Sequence, residues 1–308
     1  MIAWQKQGFL FCSPLEGFSQ ARLPNVWRLH DDIYALVFTS VDASMRSHTF
    51  ITTMRVDGHR LEILQKPKLV LAPGPLGYFD DRGAMASAFA QGDNGVVYYY
   101  YTGWQLLHDV TFEFAIGRAI FDPEKLTITK EFPGPVLAKD TRNLFLNAAA
   151  YVLREGKAWR MWYTGGVNWE NNNGVLKHYY TIKHANSDDG IHWEASPEVC
   201  IPFQYETEYA IARPSVTKLG DTYHMWYTYR ETPTIHTYRI GYATSADGLT
   251  WTRKDDEAGI DVSPEGWDSE MVGYPHVFEH NGVWFLMYNG NGYGKTGFGY
   301  ATHDGPIR

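Results

Sequence analysis

The chain has 308 residues, of which 20% are charged and 16% aromatic, with a formal net charge of −8. The acidic balance argues against a nucleic-acid backbone as partner, and no apolar run approaches the roughly 20 residues that span a bilayer. Cys12 and Cys200 are the only cysteines; two distant thiols suit a reducing compartment. With no basic stretch leading into a long apolar core at the start, the expected location is cytoplasmic.

Along the chain a phrase recurs: Val37-Phe38-Thr39-Ser40, Tyr100-Tyr101-Thr102-Gly103, Trp162-Tyr163-Thr164-Gly165, Trp226-Tyr227-Thr228-Tyr229 and Met287-Tyr288-Asn289-Gly290. Counted between Phe38, Tyr101, Tyr163, Tyr227 and Tyr288, the steps are 63, 62, 64 and 61 residues. Five strand-rich copies at a near-constant period predict an all-β fold, a five-bladed β-propeller. The expected organisation is a single domain over 1–308, with blades at about 15–72, 73–139, 140–203, 204–264 and 265–308 plus 1–14.

Each copy opens with a short run suited to an innermost strand: Arg22-Leu23-Pro24, Ala86-Ser87-Ala88, Ala148-Ala149-Ala150, Arg213-Pro214-Ser215 and Tyr274-Pro275-His276. Proline and small residues belong where a strand has a free edge at a crowded axis. After the aromatic strand comes a third, such as Tyr180-Thr181-Ile182-Lys183-His184-Ala185 or Tyr238-Arg239-Ile240-Gly241-Tyr242-Ala243. Ser187-Asp188-Asp189-Gly190 and Ser245-Ala246-Asp247-Gly248 then predict tight turns, in which Asp189 and Asp247 serve the turn rather than chemistry. The last copy ends without a fourth strand. Trp4 and Gly8-Phe9-Leu10-Phe11-Cys12-Ser13-Pro14 parallel Trp251 and Gly259 to Pro264, so the N-terminal segment is expected to complete the last blade and close the ring.

The Ala-x-Ser-x-Asp-Gly-x-x-Trp turns, with Arg-Pro-Ser-Val beside Met-Trp-Tyr, resemble the arabinanase/levansucrase/invertase superfamily of five-bladed propellers, including glycoside hydrolase families 43 and 32. The resemblance covers essentially the whole chain. It implies a sugar in an axial funnel and catalytic acids on the inner strands, one directly before the proline. In this sequence that slot holds Leu23, Ala86, Ala149, Arg213 and Tyr274, none of them an acid.

Other carboxylates are therefore the candidates. Asp80 and Asp268 stand seven residues before Ser87 and Pro275, and Glu208 six before Pro214. With Asp81, Glu206 and Glu270 they make the catalytic set, Asp80 or Asp81 as base and Glu206 or Glu208 as acid; pairing with nearby arginines is the competing structural reading. Expected substrate-binding residues are Arg22, Arg46, Arg82, Trp104, Asn147, Trp169, Arg213, Arg230, His236, Tyr274, Asn289 and Asn291. Guanidinium groups gathered at the mouth of an acidic protein point to an anionic or phosphate-linked sugar. The histidines show no metal-ligand spacing and no phosphate-binding glycine loop precedes a helix, so neither cofactor nor metal is expected. The favoured reading is a glycoside-hydrolase-like carbohydrate-active enzyme. A transferase or sugar-modifying enzyme of surface-polysaccharide or nucleotide-sugar metabolism and a non-catalytic sugar-binding propeller stand as alternatives.

Overall fold

The computed structural model describes residues 2–12 and 15–307, without the side chain of residue 94; Ser13 and Pro14 of the closing segment lie outside the described residues. Five antiparallel units follow one another. Their innermost strands are Phe18–His30, Gly83–Gln91, Asn147–Glu155, Ala210–Leu219 and Gly273–His280. The aromatic strands come second, as Ile33–Asp42, Val97–Leu106, Ala158–Asn172, Thr222–Arg230 and Val283–Asn289. Third strands are Ser47–Asp57, Phe112–Asp122, Val175–Ser187, Arg239–Ser245 and Phe298–Asp304. Blade one has a split outer edge, with Arg60–Ile63 and Lys68–Leu71 both pairing to its third strand. The aromatic strands are buried on both faces because blades stack face to face; Phe38, Tyr101, Tyr163, Tyr227 and Tyr288 are all fully buried.

Ring closure follows the expected pairing. Gln5–Phe11 runs antiparallel to the last third strand, with Gln5 opposite Thr302 and Phe11 opposite Phe298. Trp4 packs edge-on against Trp226 of blade four at 6.1 Å, and Lys6 reaches Asp268 at 2.7 Å. The closing strand is thus fixed to both of the blades it touches.

A second set of bonds joins blade to blade around the axis. In every blade the slot residue before the inner-strand proline, or its equivalent, gives its backbone N–H to the preceding blade. Ala86 N–H donates to Thr39 Oγ1 (2.8 Å), Ala149 to Thr102 (2.8 Å), Arg213 to Thr164 (3.0 Å) and Tyr274 to Thr228 (2.7 Å). Leu23 N–H closes the circle on Asn289 Oδ1 at 2.8 Å. The acceptor is always the third residue of the recurring aromatic phrase. Register shifts accompany each clasp, and Leu23, Ala149, Arg213 and Tyr274 adopt φ of +60°, +49°, +56° and +56°. Positive φ is costly for these residue types, about 1–3 kcal/mol each. The bulge and the clasp together turn the slot side chain onto the axis.

The rest of the phrase has equally local reasons. Tyr101 and Tyr288 donate their hydroxyls to Asp80 (3.4 Å) and Asp268 (3.0 Å) in the loops leading into their blades. Gly103 lets that loop pass: a Cβ there would stand 2.4 Å from the Phe79 ring. The Asp-Gly turns act as expected. Asp247 accepts the N–H groups of Leu249 and Thr250, both at 2.8 Å, and these bonds hold its carboxyl down at about 2. Gly248 O receives Trp162 Nε1 of the preceding blade at 2.8 Å, and Gly190 O receives Tyr100 Oη at 2.8 Å. Both cysteines are free thiols, and no helix among the described residues is long and apolar enough to cross a membrane.

Replacing Thr164 by Val keeps the shape and strands the Arg213 N–H in a dry site. Urea denaturation of Thr164→Val should show a loss of about 1–3 kcal/mol, and Thr164→Ser, which keeps the acceptor, a smaller one.

Candidate functional site

All five slot residues line one cavity of about 290 Å³ on the axis. Blades four, five and one contribute Arg213, Arg230, Tyr238, Tyr274, Tyr293, Arg22 and Leu23; blade two contributes Met85, Ala86, Thr102, Phe112 and Phe114; blade three contributes Leu146, Ala148, Ala149, Thr164, His178 and Tyr180. No carboxylate among the described residues lines it.

Arg213 crosses the axis from blade four, and its Nη1 donates to Ala86 O of blade two at 2.9 Å. It is 3% exposed. Burial pulls its pKa down to about 10, with Tyr99, Tyr274 and Tyr151 partly offsetting this; the group remains a cation at neutral pH. Burial also lowers the pKa of Arg22, whose Nε is buried without a partner. Arg230 lies over the rings of Tyr209, Tyr238 and Tyr293 at 5.1, 4.9 and 5.8 Å, and its Nη1 donates to Tyr293 Oη at 2.6 Å. Its Nε too is buried and unpartnered. Cation–π contacts support a guanidinium but leave its N–H edges open. Three cations thus share a partly dry cavity in which no carboxylate among the described residues balances their charge.

Tyr180 lies within the third strand of blade three and Tyr238 directly before that of blade four, and their hydroxyls bond to each other. His178 stacks on Tyr180 with centroids 5.1 Å apart; burial, then the charge of Arg230, pulls its pKa down to about 4. Its imidazole is neutral at pH 7.

The six expected catalytic acids sit elsewhere, and that is a correction to the sequence reading. Asp80 is buried against Lys130 and Tyr101, Asp268 against Lys6 and Tyr288. Glu208 takes both prongs of Arg253 at 2.6 and 2.8 Å. In each case the carboxylate ties the loop before an inner strand to the outer strand of the same blade, so a shared sequence position reflects a shared structural bond. Asp81 accepts Gly77 N–H at 2.9 Å, and Glu206 and Glu270 are exposed. None of the six lines the cavity.

Of the expected binding residues the structure brings together Arg22, Arg213, Arg230 and Tyr274. The other eight lie off the cavity wall. Arg46 is exposed and paired with Asp42, His236 faces Glu231 at 3.5 Å, and Arg82 has a buried, unpartnered Nε. Asn289 is spent on the Leu23 clasp, and Asn291 accepts the N–H groups of Glu270 and Met271. Asn147 accepts from Asn143 and donates to Phe145 O. Trp104 and Trp169 support the wall from behind, packing on Phe114 and Phe112. The reading missed Tyr180, Tyr238, His178, Phe112 and Phe114. A tyrosine heading both runs read as third strands, Tyr180 to Ala185 and Tyr238 to Ala243, was the available signal.

By its fold this is a five-bladed propeller of the glycosidase kind. A solved glycoside hydrolase superposes with a TM-score of 0.77 at 16% identity, over 100% of this chain and 93% of its own. A member of the glycoside hydrolase family 130 of mannoside phosphorylases, a family described as containing hydrolases of β-1,2-mannosidic linkages in Candida mannan, gives 0.73 at 14%, over 99% and 94%. The family model for β-1,4-mannooligosaccharide phosphorylase matches residues 167–261, a stretch that carries His178, Tyr180, Arg213, Arg230 and Tyr238. The uncharacterised protein MT1551 of Mycobacterium tuberculosis is 37% identical over 307 residues, 98% of this chain and 99% of the relative. The chain belongs to the same family as that mycobacterial protein.

If the buried acids are structural ties, Glu208→Gln should cost about 1.5–3 kcal/mol, because Arg253 gives up a two-pronged carboxylate partner and keeps only Asp255 at 2.7 Å. Oxyanion binding in the axial cavity should survive at temperatures where the variant stays folded. Thermal melts with and without phosphate check both points.

Proposed function

We propose that this protein is a carbohydrate-active, glycoside-hydrolase-like enzyme that takes a small sugar in the axial cavity, with an oxyanion held by Arg213, Arg230 and Arg22. The observation that carries this reading is the set of three arginines on a wall without a carboxylate. The match of residues 167–261 to a phosphorylase family supports inorganic phosphate as that oxyanion, in a divergent member of glycoside hydrolase family 130.

Phosphate also suits a site without acids. In phosphorolysis one oxygen of hydrogen phosphate attacks the anomeric carbon as the bond to the leaving oxygen breaks. The proton that phosphate carried ends on the leaving oxygen, passed through water or a wall hydroxyl such as Tyr180 or Tyr238. No water is consumed, and the arginines hold the nucleophile and steady its charge as it transfers. The absence of wall carboxylates favours a second reading, sugar-phosphate binding without turnover. Phosphorus NMR distinguishes them, since only turnover makes a new glycosyl phosphate resonance.

Calorimetric titration should show phosphate or a sugar phosphate binding where the neutral parent sugar binds weakly, with affinity falling as salt rises. Arg213→Lys should weaken the anion by about 1.5–3 kcal/mol, because an ammonium loses the two-pronged, charge-assisted contact. Equal binding of neutral sugars to both proteins, without salt dependence, would make Arg213 a strut to Ala86 and nothing more.

A further inference from the structure

The cavity is two-sided, and that division says more about its occupant than the charge alone. Resting on the reading of the cavity as an anion site, we infer that the ligand carries an apolar group opposite its anionic one, and that the wall from blades two and three selects for it. The arginines come from blades one and four, and Arg213 reaches across to Ala86 O of blade two. Facing them are Met85, Phe112, Phe114, Leu146, Ala148 and Ala149.

At the level of the inner strands this far wall has few hydrogen-bonding groups to offer. Thr102 and Thr164 are its hydroxyls there, and each accepts an inter-blade N–H; beside the platform blade three adds the Tyr180 hydroxyl, bonded to that of Tyr238, and the His178 ring, edge-on to Phe112 at 5.0 Å. The carbonyl of Ala86 is taken by Arg213. Phe112 and Phe114 stack with centroids 4.6 Å apart and planes 26° from parallel. Trp169 meets Phe112 edge-on at 5.5 Å, and Trp104 meets Phe114 at 6.4 Å. The platform is therefore propped from behind and cannot readily turn a polar group inward.

A ligand hydroxyl turned to Met85, Phe112 and Phe114 gives up water and meets carbon there instead of a hydrogen-bonding group. A methyl, deoxy, acyl or aryl group in the same place gains contact and desolvation instead. The ligand class is thus an oxyanion bearing an apolar substituent: a phosphorylated or acidic sugar whose far edge is deoxygenated, alkylated or acylated, in preference to a fully hydroxylated hexose phosphate.

Three phosphates test this without knowing the sugar: inorganic phosphate, glycerol 1-phosphate and phenyl phosphate, titrated by calorimetry against wild type and Phe114→Ser, with phenyl glucoside as the neutral control. Phenyl phosphate is expected to bind wild type about tenfold or more tighter than glycerol 1-phosphate. That ratio should collapse toward one in Phe114→Ser, whose melting curve reports that it is folded; Met85→Ser is the second variant should Phe114→Ser fail to fold. Equal affinities for the two esters overturn the selective wall while leaving the anion site standing. Phenyl glucoside binding as tightly as phenyl phosphate overturns the pairing of anion and apolar group. Absence of binding by every phosphate, with Arg213→Lys indistinguishable from wild type, removes the anion reading and this inference with it.

Discussion

One hydrogen bond, made five times, sets the geometry on which everything else here depends. A side-chain oxygen in each aromatic strand accepts the backbone N–H of the slot residue in the next blade. It satisfies a buried donor that the local bulge has pulled out of the strand ladder. It also puts five side chains at one height around the axis. What the cavity can do is decided by which residues fill those five places. Here they are leucine, two alanines, an arginine and a tyrosine, so the ring presents one cation and one phenol among small or apolar groups.

That filling explains the charge distribution of the whole site. In the superfamily this chain resembles, acids at the axis are implied; here acids are numerous but lie behind the wall. Asp80, Glu208 and Asp268 each neutralise a Lys or Arg from an outer strand, so their charge is consumed inside the blades. The arginines of the cavity have no such partner. A buried cation left without a counter-ion is costly, and the cation–π contacts of Arg230 and the carbonyl bond of Arg213 offset only part of it. On the proposed reading an incoming oxyanion would complete the balance, which would tie affinity for an anion directly to how the fold is built.

The fold was legible because it is periodic. The steps of 61 to 64 residues, the prolines of the inner strands and the Asp-Gly turns all follow from repeating the same local bonds. Closure by the N-terminal strand was legible for the same reason. The site was half legible. Arg213 and Tyr274 stood out because they occupy the slot, and Arg22 and Arg230 because they flank it. The acids misled because equal spacing before the inner strand signals an equal role, and that role is the bond to an outer strand. Phe112, Phe114, Tyr180 and Tyr238 read as ordinary strand aromatics. Only the folded ring shows that their side chains line the cavity.

The central claim is that the arginines of the axial cavity are held open for an oxyanion. Tungstate, a heavy tetrahedral oxyanion, reports this most directly when soaked into crystals of the protein and located by its anomalous scattering. The account predicts a peak in the axial cavity within hydrogen-bonding reach of Arg213 and at least one of Arg22 and Arg230, displaced by an excess of phosphate. An axial cavity without a peak, while tungstate orders elsewhere on the surface, would contradict it.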